Sequence, residues 1–241
     1  MTPTTDPGGL VGRLRSLVPL LATLPDSDVE ELAAALVPGV VQRGDVLFSE
    51  GEEGDTVYLV LEGSVKLSRV SADGRETLVA VLTAGQLFGE LSLFDPGPRT
   101  ATATAVTQLE TVRLPHDRLM PWLTGKPELT AELMRVLARR LRRTSSIFAD
   151  LVFVDVPGRV AKQLLELAER FGTELTPAGP GLPAPVHVAH GLVQEELAQL
   201  VGASRETVNK ALSDFVSRGW VRVEPRATVL LDVARLRVRA R

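Results

Sequence analysis

The sequence predicts an α+β chain in three parts. An N-terminal β-barrel with flanking helices spans residues 1–127. One long helix covers 128–155, and a winged helix-turn-helix covers 156–241. Three observations carry this reading. Short β-prone segments punctuated by glycine run from Val40 to Leu114. An apolar 3-4 repeat runs through residues 128–154. A small, a glycine and an apolar residue then stand at Ala198, Gly202 and Val208.

Residues 10–37 read as helical. Leu14, Leu17, Val18 and Leu21 fall at helical spacing, and Pro25-Asp26-Ser27-Asp28 opens a second helix with Val29, Leu32, Ala33 and Leu36 on one side. The barrel strands follow at Val46–Phe48, Val57–Leu61, Val65–Leu67 and Thr77–Leu82, with glycines at 44, 51, 54, 63, 74, 85 and 89. Ser71-Ala72-Asp73-Gly74 reads as a hairpin turn.

In the long helix, Met134, Leu137, Leu141, Thr144, Phe148 and Leu151 step by three and four, the seam of two helices coiling together. An ordinary amphipathic helix lying on its own barrel is the alternative. The seam's length and its flanking Arg135, Arg139, Arg140, Arg142 and Arg143 favour a dimer. Asp155-Val156-Pro157-Gly158-Arg159 breaks this helix as a hinge, and the next begins at Val160. Residues 172–191 read as a Pro/Gly-rich surface loop enclosing a short strand at Val186–Val188. Two helices follow at about 192–201 and 204–217, then a hairpin wing at 220–223 and 228–231 with Pro225 and Arg226 in its turn.

Composition narrows the function. The 241 residues suit two modest domains. The chain has no cysteine, which excludes disulfides, thiolate iron–sulfur ligation and a cysteine nucleophile. His187 and His190 stand three apart with no third ligand nearby, so no metal is expected and both read as exposed loop residues. No Ser–His–Asp order and no phosphate-binding Walker loop is found, so catalysis is not expected. No run of about 18 apolar residues occurs, and Met1–Gly9 lacks a signal-peptide layout. A cytoplasmic location without a membrane partner is expected. The net charge of −3 hides an asymmetry: residues 158–241 hold 12 Lys/Arg against 9 Asp/Glu. A basic C-terminal half on an acidic chain points to double-stranded DNA as partner.

In that half, Ser204 is placed to cap the second helix of the motif. Arg205, Glu206, Asn209 and Lys210 then project from its first turns. Arginine suits guanine O6 and N7, and glutamate suits cytosine N4. In the barrel, Phe88-Gly89-Glu90-Leu91-Ser92-Leu93-Phe94-Asp95-Pro96-Gly97-Pro98-Arg99-Thr100-Ala101 interrupts the strands. A helical turn after Gly89 aims backbone N–H groups, Leu91 among them, at an anion. Arg99 suits a phosphate, Thr100 adds a hydroxyl and an N–H, and Glu90 suits a ribose hydroxyl. The competing reading is a structural Glu90–Arg99 salt bridge.

The barrel, this cassette, the coiled helix and Val201-Gly202-Ala203-Ser204-Arg205-Glu206-Thr207-Val208 together resemble the Crp/Fnr family of regulators. Val136–Thr144 and Asp155–Leu165 are similar to the GlxR-type cyclic-AMP receptor proteins of actinobacteria. The resemblance implies a jelly-roll, or double-stranded β-helix, barrel that binds cyclic AMP. It implies a homodimer on palindromic TGTGA/TCACA-like sites, with RNA polymerase as a further partner. Gly89, Glu90, Arg99 and Thr100 match the family's phosphate-binding cassette. Thr144 and Ser145 match positions that reach adenine from the two subunits. Arg205, Glu206 and Lys210 match base-reading positions, and Arg226 in the wing is read as a phosphate contact. Val193 stands where the family often has a phosphate-contacting threonine. A family member that binds DNA without ligand, or answers another effector, is the alternative.

Overall fold

The computed structural model describes residues 7–72, 74, 76–95, 97–177 and 183–241. The chain divides into two compact units, the first ending at Arg140 and the second starting at Leu141. Asp73 of the expected hairpin turn, Pro96 of the cassette, residues 178–182 of the loop and the first six residues lie outside the described residues.

The first unit opens with α1 (Pro7–Leu17), a 3-10 turn at Pro19–Thr23 and α2 (Asp26–Ala35). The helical stretch therefore ends earlier than the expected residue 37. Pro38 disfavours the helical conformation at Val37, and Val37–Val41 forms β1. Seven further strands follow: β2 (Val46–Phe48), β3 (Thr56–Glu62), β4 (Ser64–Val70), β5 (Glu76–Thr83), β6 (Leu87–Phe88), β7 (Thr102–Ala105) and β8 (Leu109–Pro115). They make two antiparallel four-stranded sheets, ordered β1-β8-β3-β6 and β2-β7-β4-β5. Gly74 donates its N–H to the Ser71 carbonyl at 2.8 Å, where β4 hands over to β5.

Strand β3 shows how the layers arise. Side chains alternate across a strand. Val57, Leu59 and Leu61 join Leu14, Leu32 and Val112 in a core beneath the helices. Val60 instead joins Phe48, Val65, Phe88 and Leu109 in a second core inside the barrel. A short α3 (Leu91–Phe94) interrupts the barrel. After β8, α4 (His116–Thr124) and the first half of α5 (Pro127–Phe153) complete the helical layer, with Leu119, Leu123 and Leu129 buried. Helix α4 was not foreseen.

The second unit contains the rest of α5, then α6 (Val156–Phe171), β9 (Gly172–Glu174), β10 (Val186–Val188), α7 (Gln194–Val201), α8 (Arg205–Ser217), β11 (Val221–Glu224), β12 (Ala227–Leu230) and α9 (Val233–Arg239). Its sheet runs β11-β12-β10-β9, antiparallel throughout. Helix α6 begins four residues before the expected Val160. Asp155 caps it by accepting the Gly158 N–H at 3.0 Å, and Pro157 sits in the first turn, where its missing N–H costs nothing. The break in the chain is thus Val154–Asp155, and the Pro-Gly pair lies inside the helix. Strand β9 and helix α9 were also not foreseen.

His190 corrects the expectation of an exposed loop histidine. It is 4% exposed, its Nδ1 accepts the Leu192 N–H at 3.1 Å, and its Nε2 lies 3.4 Å from Thr228 Oγ1. Burial, the largest influence, holds its pKa down to about 4, so the ring is neutral at pH 7.

Candidate nucleotide cradle and nucleic-acid interface

In the first unit the cassette forms a cradle around Arg99. Gly89 adopts φ +76°, and a Cβ there would lie 2.6 Å from Arg99 Nη1 and 3.0 Å from the Thr56 carbonyl. Glycine is needed for both the backbone and the space. The Arg99 side chain is 5% exposed. Its Nη1 donates to the Gly89 carbonyl at 3.0 Å and to Ser92 Oγ at 3.2 Å, and Nη2 donates to the Thr56 carbonyl at 2.8 Å. The guanidinium carbon stands 4.3 Å from the centre of the Phe48 ring.

Three of Arg99's five N–H donors are therefore engaged, all by neutral oxygens. Nε is buried with no partner. The unspent donors, Nε–H and one on Nη2, belong to nitrogens on one edge of the guanidinium. Burial pulls the Arg99 pKa down, while Tyr58, Asp55, Glu52 and Glu90 oppose that shift. Main-chain bonds fasten the segment in place: Arg99 N–H to the Glu52 carbonyl (2.7 Å) and Gly51 N–H to the Arg99 carbonyl (2.9 Å).

The expected alternative, a Glu90–Arg99 salt bridge, is not formed. Glu90 is 1% exposed and its Oε1 pairs with Arg140 of α5, which also donates to the Leu87 carbonyl. Its Oε2 is buried without a partner. Arg140 and Ser92 were legible only as a flanking charge and a cassette residue. Gly54 was legible only as a turn glycine. A Cβ on Gly54 would stand 2.4 Å from Ser92 Oγ and 3.0 Å from Arg99 Nε, so the cradle needs a glycine there too. Leu91 and Thr100 are exposed at the cradle's edge.

On α5, Thr144 and Ser145 are exposed, and Ser145 Oγ donates to the Leu141 carbonyl at 3.0 Å. Leu141 and Phe148 are 68% and 69% exposed. Four of the five apolar seam residues are exposed; Leu137 is half-buried. Leu151 has a second engagement, because a Cβ on Gly202 would lie 2.7 Å from its Cδ2. The hinge is tied to the same turn. Arg159 donates to the carbonyls of Val154 (2.9 Å), Val201 (3.0 Å) and Gly202 (3.2 Å). Asp155 pairs with Arg239 of α9, which holds its carboxyl below the usual range.

The helix-turn-helix has the expected local chemistry. Ala198 and Val208 are buried, and Gly202 caps α7 at φ +68°. Ser204 caps α8 by accepting the Thr207 N–H at 3.2 Å. Arg205, Glu206 and Lys210 are exposed, with Glu206 and Lys210 paired at 2.8 Å. Asn209 is half-buried, its Oδ1 without a partner, at a cleft it shares with Gln194, Ser213 and Val223. Val193, 40% exposed, precedes α7, and its N–H donates to Glu196. In the wing, Arg226 is exposed at φ +57° and donates to the Gly191 carbonyl at 3.0 Å. Among the described residues, no group of three or more His, Asp or Glu is placed to hold a metal ion. No described helix is long and apolar enough to cross a membrane.

Comparison with known proteins adds the following. Residues 39–124 match the cyclic nucleotide-binding domain family, and residues 158–239 match the Crp-like helix-turn-helix domain family. The chain is 51% identical over 215 residues to the CRP-like cAMP-activated global transcriptional regulator of Mycobacterium tuberculosis, covering 89% of this chain and 93% of that one. It is 33% identical to the cyclic AMP receptor protein of Thermus thermophilus, over 90% and 94% of the two chains. A solved Crp/Fnr-family regulator from Thermus thermophilus superposes with a TM-score of 0.70 at 29% identity, covering 85% and 98% of the two chains. These relatives are transcription regulators and not enzymes.

Proposed function

Because the chain belongs to the Crp family of cyclic-nucleotide-binding transcription regulators, we propose that it is a cyclic-AMP-responsive homodimer that reads palindromic TGTGA/TCACA-like DNA. The observation that carries the ligand half is the state of Arg99. A guanidinium 5% exposed has no ion-pair partner among the described residues and keeps Nε–H unspent. Burying a charge without a counter-charge is costly. An entering cyclic phosphate supplies the counter-charge and meets donors already held in place. Thr100 adds its hydroxyl and N–H, and the exposed Leu91 N–H closes the rim. Glu90 Oε2 is a free acceptor for a ribose 2′-hydroxyl. The adenine is taken by Thr144 and Ser145 of the two subunits' long helices, whose hydroxyls can donate or accept.

The DNA half rests on α8. Ser204 fixes the start of the helix, from which Arg205, Glu206 and Lys210 reach base edges, with Asn209 beside them. The exposed Glu206–Lys210 pair is worth under about 1 kcal/mol in water, so its members exchange readily for base contacts. Arg226 takes a phosphate from the wing. Two-fold symmetry sets the two α8 helices about 34 Å apart, one turn of DNA. The working domains are then 1–127 for ligand, 128–155 for dimerisation and 156–241 for DNA, with RNA polymerase as the further partner and the cytoplasm as the place of action.

Selection from randomised duplex DNA, with and without cyclic AMP, tests this reading. A palindromic site enriched more strongly with the ligand is expected. An asymmetric or sequence-blind outcome overturns it.

A further inference from the structure

Between α1, α2, the β3/β8 face of the barrel, α4 and the first turns of α5, the first unit encloses a cavity of about 150 Å³. Its walls are aliphatic, among them Leu14, Leu59, Val112 and Leu133, with Trp122 and Glu90 at the margin. An apolar cavity of about this size stays dry and takes up benzene or xenon. Native cores are close-packed and hold few voids larger than a water, so a void of this size is a candidate binding site. Trp122 adds a polar requirement. Its indole N–H is buried with no acceptor among the described residues, although such groups are normally satisfied.

We propose that this cavity is a second small-molecule site, for an aliphatic molecule that carries one oxygen acceptor to meet the Trp122 N–H. A medium-chain alcohol or acid has this chemistry: the chain fills the dry volume and the oxygen accepts. Glu90 and Tyr58 line the cavity and also belong to the cradle's surroundings. Tyr58 stacks on Phe88 at 5.0 Å and lies 5.8 Å from the Arg99 guanidinium carbon. An occupant thus touches the back of the nucleotide cradle and acts as a second effector. This last step rests on the proposed function, whereas binding itself does not.

The test uses the full chain with benzene and 1-hexanol as probes, read by NMR shifts of Leu and Val methyls without nucleotide. Both probes are expected to saturate, with shifts centred on Leu14, Leu59, Val112 and Leu133. Trp122→Phe should weaken hexanol about tenfold, the scale of one neutral hydrogen bond, and leave benzene unchanged. Benzene binding to that variant also reports that the cavity is still folded. Non-saturating or scattered shifts overturn the site. Equal hexanol affinity in Trp122→Phe overturns the oxygen-acceptor assignment. A cyclic-AMP affinity that changes at saturating hexanol supports the effector role, and an identical affinity overturns it.

Discussion

Replacing Arg99 by alanine removes the only buried guanidinium that the structure offers to an anion in the cradle. In the wild-type protein Nη1 and Nη2 are held by Gly89, Ser92 and Thr56 at 2.8–3.2 Å, so the group is already oriented before ligand arrives. Little ordering cost remains to be met on binding. Truncating one partner of a buried, hydrogen-bonded charge pair costs about 2–5 kcal/mol. At about 1.4 kcal/mol per decade, the dissociation constant for cyclic AMP should rise by roughly 30-fold to several thousand-fold. Arg99→Lys separates charge from geometry. A lysine ammonium is a compact point charge without the planar fork. It cannot serve Thr56, Gly89 and a phosphate together in the way the guanidinium does. Its affinity should therefore fall between wild type and Arg99→Ala. Titration calorimetry with cyclic AMP measures all three, and circular dichroism confirms that the barrel remains folded. An Arg99→Ala protein within threefold of wild type would refute the cradle.

Three other expectations follow from the same structure. Burial of one Leu or Phe side chain is worth about 1.5–3 kcal/mol, so Leu141→Glu with Phe148→Glu should convert a dimer to monomers at micromolar concentration. Sedimentation of a wild-type monomer would contradict the seam. The His190 pKa falls from 6.5 unfolded to about 4 folded. The unfolded chain therefore binds the proton first on acidification. Stability is full above pH 6.5 and declines as pH drops toward 4, by about 3 kcal/mol at most. Urea melts at pH 7 and pH 5 should show this decline, and His190→Gln should flatten it. Equal slopes in the two proteins would dismiss His190 as the cause. Arg205→Ala should cost about 1–3 kcal/mol of DNA affinity and relax preference at one guanine. An unchanged base preference in a binding-site selection would remove Arg205 from the reading set.

Much of the architecture was readable because local signals agreed with the final packing. Gly202 at positive φ, Ser204 as cap and Val208 facing inward are local requirements, and each is met. The alternation of β3 and the 3-4 spacing of α5 are likewise properties of short segments. Long-range partners were not readable. Nothing near Glu90 in sequence announces Arg140, 50 residues on, and nothing near Asp155 announces Arg239. His190 looked exposed because its Pro/Gly-rich neighbourhood is that of a loop, yet β12 brings Thr228 to it. The start of α6 was misplaced because proline was taken as a breaker, whereas it is well accommodated in a first turn capped by Asp155. In the cradle, residue types pointed to Arg99 and Glu90. Which oxygens would orient Arg99, and the demand for glycine at position 54, depend on folding the chain.

The central claim is that one ligand and one DNA site are energetically linked through this chain. The direct measurement is cyclic-AMP affinity with and without operator duplex, paired with operator affinity with and without cyclic AMP, at one salt concentration. Coupling between sites is typically about 1–3 kcal/mol, roughly 5- to 150-fold, and must be the same in both directions. The account predicts two equal ratios in that range, with measurable DNA binding in the ligand-free protein. Tight cyclic-AMP binding with both ratios equal to one would contradict it.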